Sequence, residues 1–241
     1  MTTGASYTVE IVEGLSPLGT DRSRTPGPDD VVIGIARPAD LDSPEALLAL
    51  LSDTEKQRLT RFRFEPDRVM FLAARALVRL TLSRCSDVRP EAWQFKTGTH
   101  GRPEISHPRS PLRFSLSHTK GLAACAVILE RDIGLDVEAL TRELAIDVAR
   151  RFFSEREVDE LLRTPIDGRA IRFLEYWTLK EAYVKARGLG LSLPLDRFSV
   201  YNTTHNTWGI SFEAALIDDP ARWWLRSFRV GDTHQAAIAI G

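Results

Sequence analysis

The sequence predicts a mixed α/β chain built from two related halves. Two observations carry this reading. Apolar runs of strand length alternate with stretches of helical period, and the order of strand, capped helix, long helix and strands occurs twice. The second is a residue match: moving 102 positions takes Ser52 to Ser154, Glu55 to Glu157, Phe71 to Phe173, Leu72 to Leu174 and Leu77 to Leu179, and moving 100 takes Ile33-Gly34 to Ile133-Gly134. Capping boxes and Phe-Leu pairs are common, so the preserved order counts for more than any single match. On this division residues 1–30 form an N-terminal segment, partly loose, 31–131 the first half and 132–241 the second. Such halves are expected to meet across a groove, a common place for a ligand.

The elements follow from local signals. Residues 14–30 are rich in Gly, Pro, Ser, Thr and Asp and read as a loose loop or tail. Val31–Ala36 reads as a strand. Ser43–Phe62 reads as helical, with Ser43-Pro44 as cap and first position, and the capping box Ser52-Asp-Thr-Glu55 suggests two helices meeting at Ser52. A long helix from about Asp67 to Ser83 carries the apolar stripe Phe71, Leu72, Ala74, Leu77, Val78 and Leu82. Gly98–Pro103 reads as a loop. Arg113–Ser117 and Leu122–Leu129 read as strands joined at Thr119-Lys-Gly121, and a third strand, Ile133–Glu138, follows a tight connection at Arg131-Asp132. In the second half, Ser154-Glu-Arg-Glu157 opens a short helix to about Leu162. A long amphipathic helix then runs from near Arg169 to Arg187 and stops at Gly188 and Gly190. Strands close the chain at Phe198–Tyr201, Trp208–Ala214, Trp223–Val230 and Ala236–Ile240.

Composition narrows the chemistry. The 241 residues are 43% hydrophobic and 27% charged, ordinary for a globular chain that can bury a core. Lys and Arg number 32 against 33 for Asp and Glu, so bulk charge offers no reason to expect a nucleic-acid or anionic-membrane partner. Two cysteines and five histidines without ligand spacing supply neither a disulfide framework nor a classical zinc site. Met1–Glu10 lacks the basic head and apolar stretch of a signal peptide, and Leu122–Leu129 is too short to span a bilayer, so a cytoplasmic protein is expected. Carboxylate, lysine and bound-metal chemistry remain.

Four constellations bear on that chemistry. Asp136 and Glu138, two apart on a strand, project from one face. Such a pair either shares a cation or marks an exposed acidic strand end, and taken alone it reads first as the latter. In Trp177-Thr-Leu-Lys-Glu-Ala-Tyr-Val-Lys185, Glu181 and Lys185 stand one helical turn apart, the spacing of an ordinary surface pair. The flanking Trp177 and Tyr183 instead argue for a packed helix whose charges need partners or work. Ser117 and His118 enter a turn with Lys120 and Gly121, which can present donors to an anion, while a lone His is by default a packed or surface residue. Gly101-Arg102-Pro103 is a turn with one guanidinium. Arg68, Arg75 and Arg79 share one broad helix side, as a phosphate site or, more simply, a solvated basic face.

Together these blocks resemble the Sfp-type 4′-phosphopantetheinyl transferases. The match runs through Gly101-Arg-Pro103, Phe114-Ser-Leu-Ser-His118, Ile133-Gly-Leu-Asp-Val-Glu138, Phe152-Phe-Ser154, Trp177–Lys185 and Gly190-Leu-Ser-Leu-Pro194, in the family's order, from about Leu41 to Val200. Each block is weak and the ordered set is specific. The resemblance implies an α/β (α+β) fold of two similar halves related by a pseudo-twofold, each a small, mostly antiparallel sheet packed by a long helix. It implies transfer of the phosphopantetheine arm of coenzyme A to a serine of a carrier protein, releasing adenosine 3′,5′-bisphosphate. The Trp-Lys-Glu-Ala form of the helix motif looks like the branch serving polyketide and peptide synthetase carriers, and sometimes fatty-acid synthases. By resemblance Asp136, Glu138 and Glu181 hold one Mg²⁺, Glu181 is the base, directly or through a metal-bound water, and Lys185 stabilises or protonates the leaving phosphate. His118, Ser117 and Arg102 match positions that hold the 3′-phosphate and adenine, Gly101 and Pro103 shape that loop, and Arg68 and Arg75 are further phosphate candidates. The chain departs from the pattern at Thr119-Lys120, where many members carry Ser or a small residue, and at Glu55, where some carry Lys, which shifts weight for the 3′-phosphate to Arg58 or the later arginines. A monomer suffices for such a site. Two other readings compete: a non-catalytic coenzyme A or carrier-protein binding module, which should have lost part of the Asp136, Glu138, Glu181 and Lys185 set, and another metal-dependent transferase that needs no protein partner.

Overall fold

The computed structural model describes residues 6–15, 25–41, 43–98, 100–142, 146–203 and 207–241. The chain forms two compact units, Met1–Arg131 and Asp132–Gly241.

In the first unit, strand β1 (Thr8–Glu13) pairs in parallel with β2 (Asp30–Ala36). Local signals gave no element at β1, whose burial alternates only weakly. Of the stretch expected to be loose, residues 16–24 lie outside the described residues. Helix α1 (Pro44–Ala49) starts on its proline, and Ser43 makes no side-chain cap. Helix α2 (Asp53–Leu59) carries the expected capping box: Ser52 accepts from the Glu55 amide while Glu55 accepts from the Ser52 amide at 3.0 Å. The long helix α3 (Glu65–Arg84) buries Ala74, Leu77, Val78 and Leu82 of its apolar stripe on the sheet, while Leu72 and the partly buried Phe71 pack with Leu47 and Leu51. The stretch read as a loop around Gly98 joins a two-stranded ribbon, β3 (Gln94–Thr97) and β4 (Pro103–His107), so Pro103 begins a strand. Proline is tolerated there because it stands at the start of the strand. Strands β5 (Leu112–Thr119) and β6 (Leu122–Leu129) complete a sheet of order β1-β2-β6-β5, antiparallel except for its first pair.

The second unit opens with β7 (Ile133–Ala139) and helices α4 (Ile146–Phe152), α5 (Glu155–Arg163) and α6 (Ile166–Arg187). Strands β8 (Phe198–Asn202), β9 (Trp208–Phe212), β10 (Trp224–Val230) and β11 (His234–Ile240) follow. The sheet is antiparallel throughout, in the order β7-β11-β10-β9-β8. Ser154 and Glu157 form the second capping box, and α6 ends at Gly188 with φ 65°. An apolar run normally marks an internal strand, yet β7 stands at the end of this sheet. Its apolar residues are buried nonetheless, and α6 packs across it.

Each unit lays its long helix over a strand at a glycine. A Cβ on Gly34 would come within 2.3 Å of Thr81 Oγ1 on α3, and one on Gly134 within 1.8 Å of the Ala182 carbonyl oxygen on α6. Each capping-box glutamate also grips a buried cation on the long helix. Glu55 pairs with Arg79 at 2.6 Å, and Glu157 with Lys180 at 2.7 Å. This corrects the reading of Arg79 as part of a solvated basic face: its side chain is 2% exposed. Helical spacing placed it beside Arg75, but only the packing of α2 on α3 supplied the carboxylate.

Candidate functional site

The close approach at Gly134 determines what meets on β7. Asp136 and Glu138 point to the same face as Gly134, the face α6 crosses, so they stand beside Glu181 and Lys185. Lys185 Nζ donates to Asp136 Oδ1 at 2.6 Å, although its sequence neighbour at helical spacing is Glu181. The Asp136 side chain is 8% exposed and Glu138 16%. Burial pushes the Glu181 carboxyl above its usual range, and the adjacent Asp136 and Glu138 carboxylates push further, with Lys185 and Arg142 opposing. The structure thus brings Asp136, Glu138, Glu181 and Lys185 together.

Local spacing singled out neither of two further paired cations, of which Arg142 touches the cluster and Lys180 is held elsewhere. Arg142 pairs with Glu138 and lies 4.6 Å from the ring centre of Trp177. Lys180, inside the helix motif but read there without a role, donates to the Leu195 and Phe198 carbonyls at 2.8 and 2.6 Å besides pairing with Glu157. The signal for Lys180 was the repeated capping box, since Glu55 and Glu157 hold equivalent places. Trp177 and Tyr183 are packed among aromatic rings, as the helix composition suggested.

The donor set is hard oxygen: three carboxylates on one strand face and the adjoining helix. That chemistry suits Mg²⁺ better than a soft ion. Among the described residues no three His, Cys, Asp or Glu side chains form a ready-made cage. Two of the carboxylates instead hold the chain's own cations, Lys185 and Arg142.

In the first unit a cavity of about 930 Å³ opens between α3 and the β5–β6 turn. Phe62, Met70, Phe71 and Leu116 make it apolar, Arg58, Arg75, His118 and Lys120 line it with cationic or ionisable groups, and Glu65 and Asp67 add carboxylates to the wall. The Arg58 and Arg75 guanidiniums lie 5.4 and 5.1 Å from the Phe71 ring centre. Burial lowers Arg75's pKa from its ordinary value, with Glu55 opposing that shift.

The other candidates stand elsewhere. Ser117 is buried on the opposite face of β5 from His118, as strand alternation requires. Arg68 pairs with Glu65 at 3.0 Å and is not among the cavity residues. Arg102 donates to the Phe114 carbonyl at 3.2 Å, which ties the β3–β4 turn to β5. Gly101 has φ 84° in that turn, a conformation glycine adopts without strain, and Pro103 follows as the first residue of β4.

Comparison with known proteins defines the class. Residues 39–129 match the family model described as 4′-phosphopantetheinyl transferase, N-terminal, and residues 132–240 match the 4′-phosphopantetheinyl transferase superfamily. The 4′-phosphopantetheinyl transferase HetI of Nostoc sp. is 34% identical over 83% of this chain and 84% of its own length. The 4′-phosphopantetheinyl transferase Sfp of Bacillus subtilis is 30% identical over 84% and 87%. A phosphopantetheinyl transferase of Thraustochytrium sp. is 31% identical over 80% and 71%. The chain belongs to the 4′-phosphopantetheinyl transferase superfamily.

Proposed function

We propose that this 4′-phosphopantetheinyl transferase takes the arm of coenzyme A and joins it to a serine of an acyl or peptidyl carrier protein, as a cytoplasmic, Mg²⁺-dependent monomer. Among the described residues no helix is long and apolar enough to cross a membrane. The observation that carries the reading is the cluster of Asp136, Glu138, Glu181 and Lys185 across β7 and α6. A binding module without catalysis would have no use for that complete set.

Asp136, Glu138 and Glu181 are the residues that would hold Mg²⁺. When bound, the ion supplies positive charge against the pyrophosphate and the charge that develops as it is cleaved. The chain's own residues do the rest. Glu181, standing beside Asp136 and Lys185, is the group assigned to accept the proton of the serine hydroxyl. The serine oxygen forms a bond to the β-phosphorus while the bond from that phosphorus to the bridging oxygen breaks. Adenosine 3′,5′-bisphosphate departs, its new terminal charge met by the Lys185 ammonium. Arg75 and His118 at the cavity of the first unit are assigned to the nucleotide end, with Arg58 and Lys120 beside them. Arg102, with Gly101 and Pro103 in its turn, and Ser117 and Arg68 are proposed as supports for that end.

The test is a mass assay. Apo carrier proteins of fatty-acid, polyketide and peptide type, incubated with coenzyme A and Mg²⁺, should each be examined for the gain of one phosphopantetheine. Gain on at least one type, lost in Asp136→Ala and Glu181→Ala with unchanged near-ultraviolet circular dichroism, is the expected result. No gain on any carrier by folded protein overturns the reading, and turnover retained in both variants overturns the site assignment.

A further inference from the structure

Beyond β7 the chain folds back on itself. The Arg142 amide donates to the Ala139 carbonyl at 3.0 Å, and this turn returns Arg142 to the side of Glu138. One guanidinium nitrogen then pairs with Glu138 Oε1, and the guanidinium lies on the Trp177 ring. That ring is itself held, edge-on to Phe152 and stacked on Phe173, each with centroids 6.0 Å away. Trp177 precedes Glu181 by one helical turn on α6, so the ring forms a fixed shelf beside the acidic cluster.

We propose that Arg142 is an internal competitor for the divalent cation: it holds Glu138 against the Trp177 shelf, and a cation gains Glu138 only by exchanging with the guanidinium. The inference rests on the metal reading above and adds a residue that sets how much cation the enzyme needs. The two internal cations are not equivalent. The two side chains are about equally exposed, 30% for Lys185 and 35% for Arg142, but Lys185 springs from the helix packed on β7 and holds the more buried Asp136, whereas Arg142 stands at a turn after the strand and holds Glu138. A guanidinium is weakly hydrated and delocalised, so it can rest on an aromatic face in one state and turn to water in the other. A hard divalent ion is the better partner for carboxylate oxygens. Apparent cation affinity is then reduced by the fraction of molecules in which Arg142 occupies Glu138.

The test uses the full chain and two readouts other than turnover. Mn²⁺ alone is titrated, with unbound ion followed by electron paramagnetic resonance. Mg²⁺ alone is titrated into protein carrying 5-fluorotryptophan, the Trp177 resonance being assigned from its loss in Trp177→Phe. Arg142→Ala should bind Mn²⁺ about tenfold more tightly, the size expected for losing a half-exposed ion pair and its ring contact, and Arg142→Lys should fall between. The Trp177 resonance should move with Mg²⁺ in the wild type and sit near its moved position in Arg142→Ala from the start. The remaining four of the five tryptophans report whether each variant is folded, and Arg142→Gln serves if the alanine variant is not. Mn²⁺ binding that is measurable but no tighter in the variant overturns the proposal and leaves the metal reading standing, as does a Trp177 signal indifferent to Mg²⁺. No Mn²⁺ binding by either protein, or binding that survives Glu181→Gln, overturns the metal reading and this proposal with it.

Discussion

Replacing Gly134 by alanine should disable the enzyme through one methyl group. A Cβ there would lie 1.8 Å from the Ala182 carbonyl oxygen and 2.5 Å from the Ala186 amide nitrogen. An ordinary non-bonded separation is about 3.5 Å, so the shortfall at Ala182 is roughly 1.7 Å. Both partners are backbone atoms, and no rotamer change can relieve the clash. The helix must therefore lift from β7 by an ångström or more. Ala182 and Ala186 each directly follow a site residue, so the lift carries Glu181 and Lys185 away from Asp136 and breaks the 2.6 Å contact of Lys185. Misplacement of about 1 Å can cost on the order of a hundredfold in rate, and overpacking about 1–3 kcal/mol in stability. At about 2–4 °C per kcal/mol for a chain of this size, melting should fall measurably without unfolding the protein at low temperature. The assay is single-turnover carrier modification at 15 °C, paired with a thermal melt. Gly168→Ala on the same helix is the control: its Cβ meets only the Thr164 methyl at 3.3 Å, so activity should persist. A Gly134→Ala protein with wild-type rate and melting temperature would refute the argument that this contact places the site.

Two more perturbations test the second unit. Lys180→Met strands the buried Glu157 carboxylate and should cost about 3–5 kcal/mol in urea unfolding; Glu157→Gln with Lys180→Met should recover part of it, because the amide oxygen can still accept from Val200. Burial alone would raise the Asp218 pKa, yet hydrogen bonds from Tyr183, the Asp219 amide and Trp223, with the Arg187 ion pair, hold it below its ordinary 3.8. A carboxyl depressed on folding contributes stability in full above its unfolded pKa and loses it as pH falls through the folded value. Asp218→Asn should therefore be less stable than the wild type at pH 7, with the gap closing below about pH 4; a gap that stays constant down to pH 2 would contradict the assignment.

Where the sequence was legible, the cause was local. Both capping boxes formed as read, because Ser-x-x-Glu closes its hydrogen bonds within a single turn. The long helices α3 and α6 followed from their period, α6 starting at Ile166, one turn before the expected residue. Strand β1 was missed although Thr8, Val9, Ile11 and Val12 are β-branched, because Ile11 and Val12 are adjacent and break the period-2 alternation expected of a strand. The β3–β4 ribbon was missed because its strands are short and its Gly-rich turn reads as a plain loop. The place of β7 at the end of its sheet could not be read from an apolar run, since burial under a helix and burial between strands look alike in sequence.

The sequence by itself determined the class of fold, the residue types available for chemistry and the pair of carboxylates on one strand face. It did so because helix period, strand alternation and capping act over a few residues. Only the tertiary structure decided which charge meets which. Glu181 and Lys185 are neighbours at helical spacing, yet Lys185 pairs with Asp136, 49 positions away. Arg79 looked like part of a solvated face and lies buried against Glu55. Ion-pair partners are chosen by proximity and burial, and those depend on how closely one backbone can approach another. Gly134 supplies that closeness on β7, and its consequence appears only when α6 is laid across it.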